Sequence, residues 1–164
     1  MKIVINAGHT KFGNGTGAVK YLRESIETRK IAYELMKLLA DTKHEVIPAV
    51  FDKHENNLKE AVETANLNDA DMFISIHLNA AGGNGVEVYT WKGQQNVLAK
   101  KVCENIHKLG FKNRGIKDGS KLYVIRNTKC TAILIECCFV DSETDVKLYD
   151  SKKIAMSIYS AIME

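Results

Sequence analysis

The chain has 164 residues, 45% of them hydrophobic and 26% charged, with a formal net charge of +3. This is one domain's worth of globular protein, long enough to close a single hydrophobic core. No apolar run nears the roughly 20 residues of a membrane-spanning helix, and the mild charge falls far short of the dense basic stripe of a nucleic-acid binder.

The first residues, MKIVINAGH, lack the apolar run and small-residue cleavage site of a signal peptide, so synthesis in the cytoplasm without one is expected. KIVIN (2–6) reads as a first strand, and the glycine-rich loop GHTKFGNGTG (8–17) follows it. The loop lacks the lysine of a P-loop and does not match GxGxxG, so tight bends explain its glycines. Leu22, Ile26, Ile31, Ala32, Leu35, Met36 and Leu39 carry helical spacing. EVIPAV (45–50) is a second strand, and Pro48 points to a sheet edge. A helix over 57–68 and the strand MFISIH (72–77) come next.

In the second half, GVEVYTW (85–91) alternates as a strand, and 95–109 is a helix with Leu98, Val102, Ile106 and Leu109 on one side. KLYVIR (121–126) and AILIECC (132–138) read as two more strands, and helical patterns run from about 142 to 163. The expectation is an α/β domain over residues 1–164, with about six strands in a mostly parallel or mixed sheet and helices on both faces. The four cysteines, Cys103, Cys130, Cys137 and Cys138, show no CxxC or zinc-ribbon spacing. They are expected to be reduced and buried, with Cys137 and Cys138 alternating to opposite faces of their strand. No exposed apolar helix face stands out, which favours a monomer.

Ligands of open α/β sheets bind at the carboxyl ends of strands. His9 follows the first strand, His77 ends the third, and Glu136 lies near the end of the last. The first turn of the first helix adds Arg23, Glu24 and Ser25. Two imidazoles and one carboxylate converging there would make a three-ligand zinc site with an open fourth position, and a further carboxylate would serve as general base. Each residue alone has a plainer account. His77 could be a packed, hydrogen-bonded histidine, Glu24 a carboxylate favoured by the helix dipole, and Glu136 an arginine's partner. No HExxH motif is present, and spacing leaves both accounts open. His44 and His107 read as solvated, while His54 in FDKHENN reads as surface loop or site border.

Almost end to end, the chain resembles the zinc-dependent N-acetylmuramoyl-L-alanine amidases of the type-3 class, found in bacterial autolysins and phage endolysins. IVINAGH resembles the family's first strand with its glycine–histidine pair, and ESIETRKIA the segment led by a zinc-binding glutamate. DADMFISIHLNA resembles its most distinctive motif, a strand ending SIHxNA. GVEVYTW and LYVIRNTKCTAILIECCFVDS resemble the following strand and the closing segment with the catalytic glutamate.

Carried over by position, the resemblance implies one Zn²⁺ per chain held by His9, Glu24 and His77, with Glu136 as the catalytic residue. Glu27 is the nearby competitor for the third ligand, but its distance to Ala32 does not suit the motif. The implied substrate is peptidoglycan, cut between N-acetylmuramic acid and L-alanine, with no nucleic-acid partner and no membrane insertion. Alternatives are a non-catalytic peptidoglycan-binding module, or a zinc peptidase acting on another wall amide. Many members carry aspartate where this chain has Asn6, an arginine near Ala61 and a proline near Thr131. The missing signal peptide favours a phage endolysin reaching the wall by holin-type release, or a spore-related enzyme, over an exported autolysin. A C-terminal wall-binding domain, usual in that class, is expected to lie outside these 164 residues.

Overall fold

The computed structural model describes residues 1–53 and 57–164, so His54 lies outside the described residues. Six strands form one sheet: β1 (Lys2–Ala7), β2 (Glu45–Ala49), β3 (Met72–Asn79), β4 (Val86–Thr90), β5 (Asn113–Asp118) and β6 (Thr131–Phe139). Their order is β2-β1-β3-β6-β4-β5. β4 runs antiparallel to β6, and every other neighbouring pair is parallel. The sheet is therefore mixed, as expected. β2 is an edge strand, and Pro48, which cannot donate to a ladder, sits there without cost.

Among the described residues, six α-helices cover both faces. These are α1 (Glu24–Ala40), α2 (Asn57–Leu67), α3 (Val97–His107), α4 (Tyr123–Asn127), α5 (Glu143–Leu148) and α6 (Ser151–Met163). On one face Ile31, Leu35 and Leu39 of α1, Val102 and Ile106 of α3, and Ile154 and Ile158 of α6 pack on Ile3, Ile5, Ile74, Ile76, Ile133 and Ile135. On the other, Ala61, Val62 and Ala65 of α2 and Val124 and Ile125 of α4 pack on Val4, Phe73 and Leu134. The period-2 alternation of the strands thus feeds two cores. No helix among the described residues is long and apolar enough to cross a membrane.

One expected strand is absent, and one strand that was not expected is present. KLYVIR is not a strand: residues 123–127 form α4, whose Arg126 amide donates to the Leu122 carbonyl. Adjacent Val124 and Ile125 are both buried, which a helical turn achieves and a half-covered strand does not. The strand that takes its place in the sheet is β5, NRGIKD, a polar edge segment with Ile116 as its one large apolar residue. The cysteines are free, and Cys103, Cys137 and Cys138 are buried, with Cys130 only partly so. The expected split of Cys137 and Cys138 is corrected, since both belong to the larger core. Between the pairs His77–Glu136 and Asn79–Phe139 the register shifts, so two residues of β6 face one of β3. A bulge of this kind breaks strict alternation and re-aims side chains.

Candidate metal centre

Three elements meet at the carboxyl end of β1 and β3. The turn after β1 carries His9 in a left-handed conformation (φ 64°), unusual for a residue with a side chain. The start of α1 holds that turn in place. Thr28 Oγ1 donates to the Gly8 carbonyl at 3.1 Å, and Arg29 Nη2 donates to the His9 carbonyl at 3.1 Å. Arg29 is itself buried and also donates to the Ser25 and Phe51 carbonyls and to Asp52. This arginine clamp was not foreseen from the sequence, where Arg29 reads as an ordinary helix residue.

Glycine supplies the space. A Cβ on Gly8 would fall on the His77 ring, and one on Gly17 would come within 2.8 Å of the His9 ring and collide with Glu24 Oε2. The loop glycines therefore do more than bend the chain, because Gly17 lets the loop close over the cluster.

Within this frame His9, Glu24 and His77 converge, one ligand atom from each lying within 4.8 Å of the others. Glu24 Oε1 is 3.1 Å from both His9 Nε2 and His77 Nδ1. The Leu78 amide donates to the same oxygen at 3.2 Å, and the Ala18 amide donates to Oε2 at 2.9 Å. Burial by itself would raise the Glu24 pKa, but hydrogen bonds from His77 and His9 and their charges hold it far below the usual carboxylate range. Burial likewise pulls His9 down, yet Glu24 and the Gly15 carbonyl more than offset this and leave its pKa above the ordinary value. Two imidazole nitrogens and a carboxylate oxygen are the donor set of a catalytic zinc site. Their 3.1 Å separations suit it, because ligand atoms about 2 Å from a tetrahedral metal lie roughly 3.3 Å apart. The cluster could hold a metal.

Glu136 stands beside it as the register partner of His77 on β6. Its Oε2 is sealed from solvent and accepts no hydrogen bond. Burial, together with the neighbouring Glu24 and Glu87 charges, pushes its pKa up to about 8. Across β6, Glu136 faces Glu87 on β4. Glu87 is buried and bonded by Arg114 (2.6 Å), Asn79 (2.8 Å) and Tyr89 (2.9 Å). Burial would raise the Glu87 pKa, but the Arg114 and Tyr89 bonds hold it below its ordinary value. The Glu87–Arg114 pair also escaped the sequence reading, for Glu87 looks like the solvent-facing member of an alternating strand.

Other candidates fall elsewhere. Glu27 is taken up by Lys30 (2.9 Å) and Tyr149 (2.8 Å) and is not in the cluster. Arg23 precedes α1 without a side-chain cap bond, and Ser25 Oγ is buried and unpartnered. Asn6, at the position where many family members carry aspartate, donates to the Ala49 carbonyl at 2.7 Å and accepts from Ser75 at 2.7 Å. The amide thus ties β1 to both neighbours. His44 lies within 3.5 Å of the N-terminal amine, and His107 within 2.7 Å of the Phe111 carbonyl, both away from the cluster.

A family model described as N-acetylmuramoyl-L-alanine amidase matches residues 3–164. An uncharacterised protein of Clostridium perfringens strain 13 is 35% identical over 162 residues, covering 93% of this chain and 48% of the relative. The endolysin of Bacillus phage SPP1 is 30% identical over 155 residues, covering 88% and 56%. The chain spans about half the length of these curated relatives. Among solved structures, the catalytic domain of CwlV, an N-acetylmuramoyl-L-alanine amidase from Bacillus (Paenibacillus) polymyxa var. colistinus, superposes with a TM-score of 0.87 at 28% identity, covering 99% of this chain and 96% of that one.

Proposed function

Since the chain belongs to the N-acetylmuramoyl-L-alanine amidase family, we propose that it hydrolyses the amide between the lactyl group of N-acetylmuramic acid and L-alanine in peptidoglycan. The zinc ion would be held by His9, Glu24 and His77. The observation that carries this reading is the buried, unpartnered Oε2 of Glu136 beside that cluster. A sealed carboxylate oxygen with no partner is costly, and such a cost is kept where function requires the group.

Zinc bound by these residues would supply a Lewis acid for the scissile carbonyl and a water acidified toward neutrality. The remaining work falls to the chain. Glu24, fixed by two backbone amides, stays ionised and orients both imidazoles. Arg29 and Thr28 hold the strained His9 turn in the geometry the cluster needs. Glu136 takes the proton of the attacking water and returns it to the departing alanine nitrogen. A single positioned carboxylate can make both transfers, taking the proton as base and returning it as acid.

Glu136→Gln tests the assignment directly. Hydrolysis of purified peptidoglycan should fall by about 10²- to 10⁴-fold, the usual contribution of a positioned proton-transfer group, with zinc content unchanged. Near-normal turnover would remove Glu136 from the chemistry. Release of the enzyme to the wall after synthesis, as in a phage endolysin, is the route we favour. The SPP1 endolysin relative supports it.

A further inference from the structure

The side of the site away from the metal cluster carries a cation that the reaction outlined above does not use. Arg114 lies where β5 bulges against β4. Val86 pairs with Asn113 and Val88 with Ile116, so two residues of β5 stand opposite Glu87 alone. Gly115, next in sequence, adopts φ +74°, the left-handed conformation that lets the strand bulge there. The bulge turns Arg114 back over β4 toward the catalytic edge. There its Nε donates to Glu87 Oε2 at 2.6 Å, and its Cζ lies 5.0 Å from the centre of the Phe139 ring.

Two anchors thus fix the plane of the guanidinium and use only one of its donors. Nη1 and Nη2 have no partner among the described residues, and the side chain keeps 31% of its surface exposed. An arginine pinned through Nε and stacked on a ring presents its other two nitrogens as a preformed fork for a planar anion. The surroundings call for such a group. Glu24, Glu87 and Glu136 lie along the same edge, and the guanidinium offsets their charge where a substrate carboxylate would approach.

The spacing suits the substrate proposed above. Reaching over β4, the guanidinium lies about one strand spacing, ~5 Å, from the strand of Glu136. In an extended stem peptide the second residue is about 7 Å beyond the scissile amide. Resting on the amidase reading, we propose that Arg114 is a specificity-determining residue that receives the α-carboxylate of the second stem residue through Nη1 and Nη2. The enzyme therefore prefers stems in which that group is a free carboxylate over stems in which it is an amide.

The test uses two soluble disaccharide–peptide fragments differing only at that group, with the zinc-loaded wild type, Arg114→Gln and Arg114→Lys. The wild type should favour the free acid by roughly 10- to 100-fold in kcat/KM, the range for losing one bidentate charged contact. Arg114→Gln should bring that ratio to within about threefold, mainly by raising KM for the acid, and Arg114→Lys should restore part of it. Equal losses on both fragments would mean that Arg114 only supports Glu87, and a wild type indifferent to amidation would overturn the proposal equally. If Arg114→Gln unfolds on thermal scanning, Arg114→Lys decides: an intermediate ratio supports the proposal and an unchanged one refutes it. Failure of the wild type to cleave either fragment at the lactyl amide would defeat the amidase reading itself, and this inference with it.

Discussion

The two halves of the β3–β6 ladder are built to different rules. From Met72–Thr131 to Ile76–Ile135 the strands run in step, and Ile74, Ile76, Ile133 and Ile135 are fully buried. From His77–Glu136 onward the polar His77, Asn79 and Glu136 interrupt the apolar run, and a bulge breaks the register. Burial accounts for the first half completely. It cannot account for the second, where a sealed unpartnered carboxylate oxygen works against stability, as does the left-handed His9 in the turn after β1 that meets it. Such conflicts between local preference and structure gather where function demands them.

Separating the halves by mutation sharpens the contrast. His77→Ala should produce the largest change, losing bound zinc and hydrolysis together while the fold persists, since His77 contributes to the cluster and not to either core. Metal analysis beside circular dichroism reads both, and full zinc occupancy in the variant would remove His77 from the ligand set. Ile74→Ala should do the opposite. A fully buried isoleucine truncated to alanine costs about 2–5 kcal/mol, visible in urea unfolding, while the folded fraction should keep its zinc affinity. Equal damage to both properties would mean that the halves are not separable.

Much of the first kind of structure could be read from residue patterns. KIVIN, MFISIH and AILIECC announce buried strands, and the Leu35–Leu39 periodicity announces α1. Pro48 correctly marks an edge. The misreading at 121–126 came from a short apolar run that suits strand or helix equally, and tertiary packing of Val124 and Ile125 decided it. β5 was missed because an edge strand with one face solvated needs little apolar content. The second kind yielded less. Strand-end position and motif resemblance singled out His9, Glu24, His77 and Glu136. Arg29, Glu87 and Arg114 act through contacts between residues far apart in sequence, and no periodicity encodes them.

A smaller effect follows from Glu136. Its folded-state pKa of about 8 lies above the ordinary 4.5, so the metal-free folded chain holds a proton that the unfolded chain has released. Stability of the metal-free protein should therefore fall as pH rises from about 4.5 to about 8, then level off as regards this group. Glu136→Gln removes that slope, so its stability advantage over the wild type should widen across the same window. Urea unfolding at pH 5, 6.5 and 8 measures it, and parallel curves would show that Glu136 is not held protonated.

Mass spectrometry of the products released from purified peptidoglycan, with zinc-loaded protein beside an EDTA-treated control, bears on the proposed activity most directly. Free stem peptides beginning with L-alanine, intact glycan strands, and neither product without metal are the expected result. Cuts inside the stem peptide, or equal release after metal removal, would contradict it.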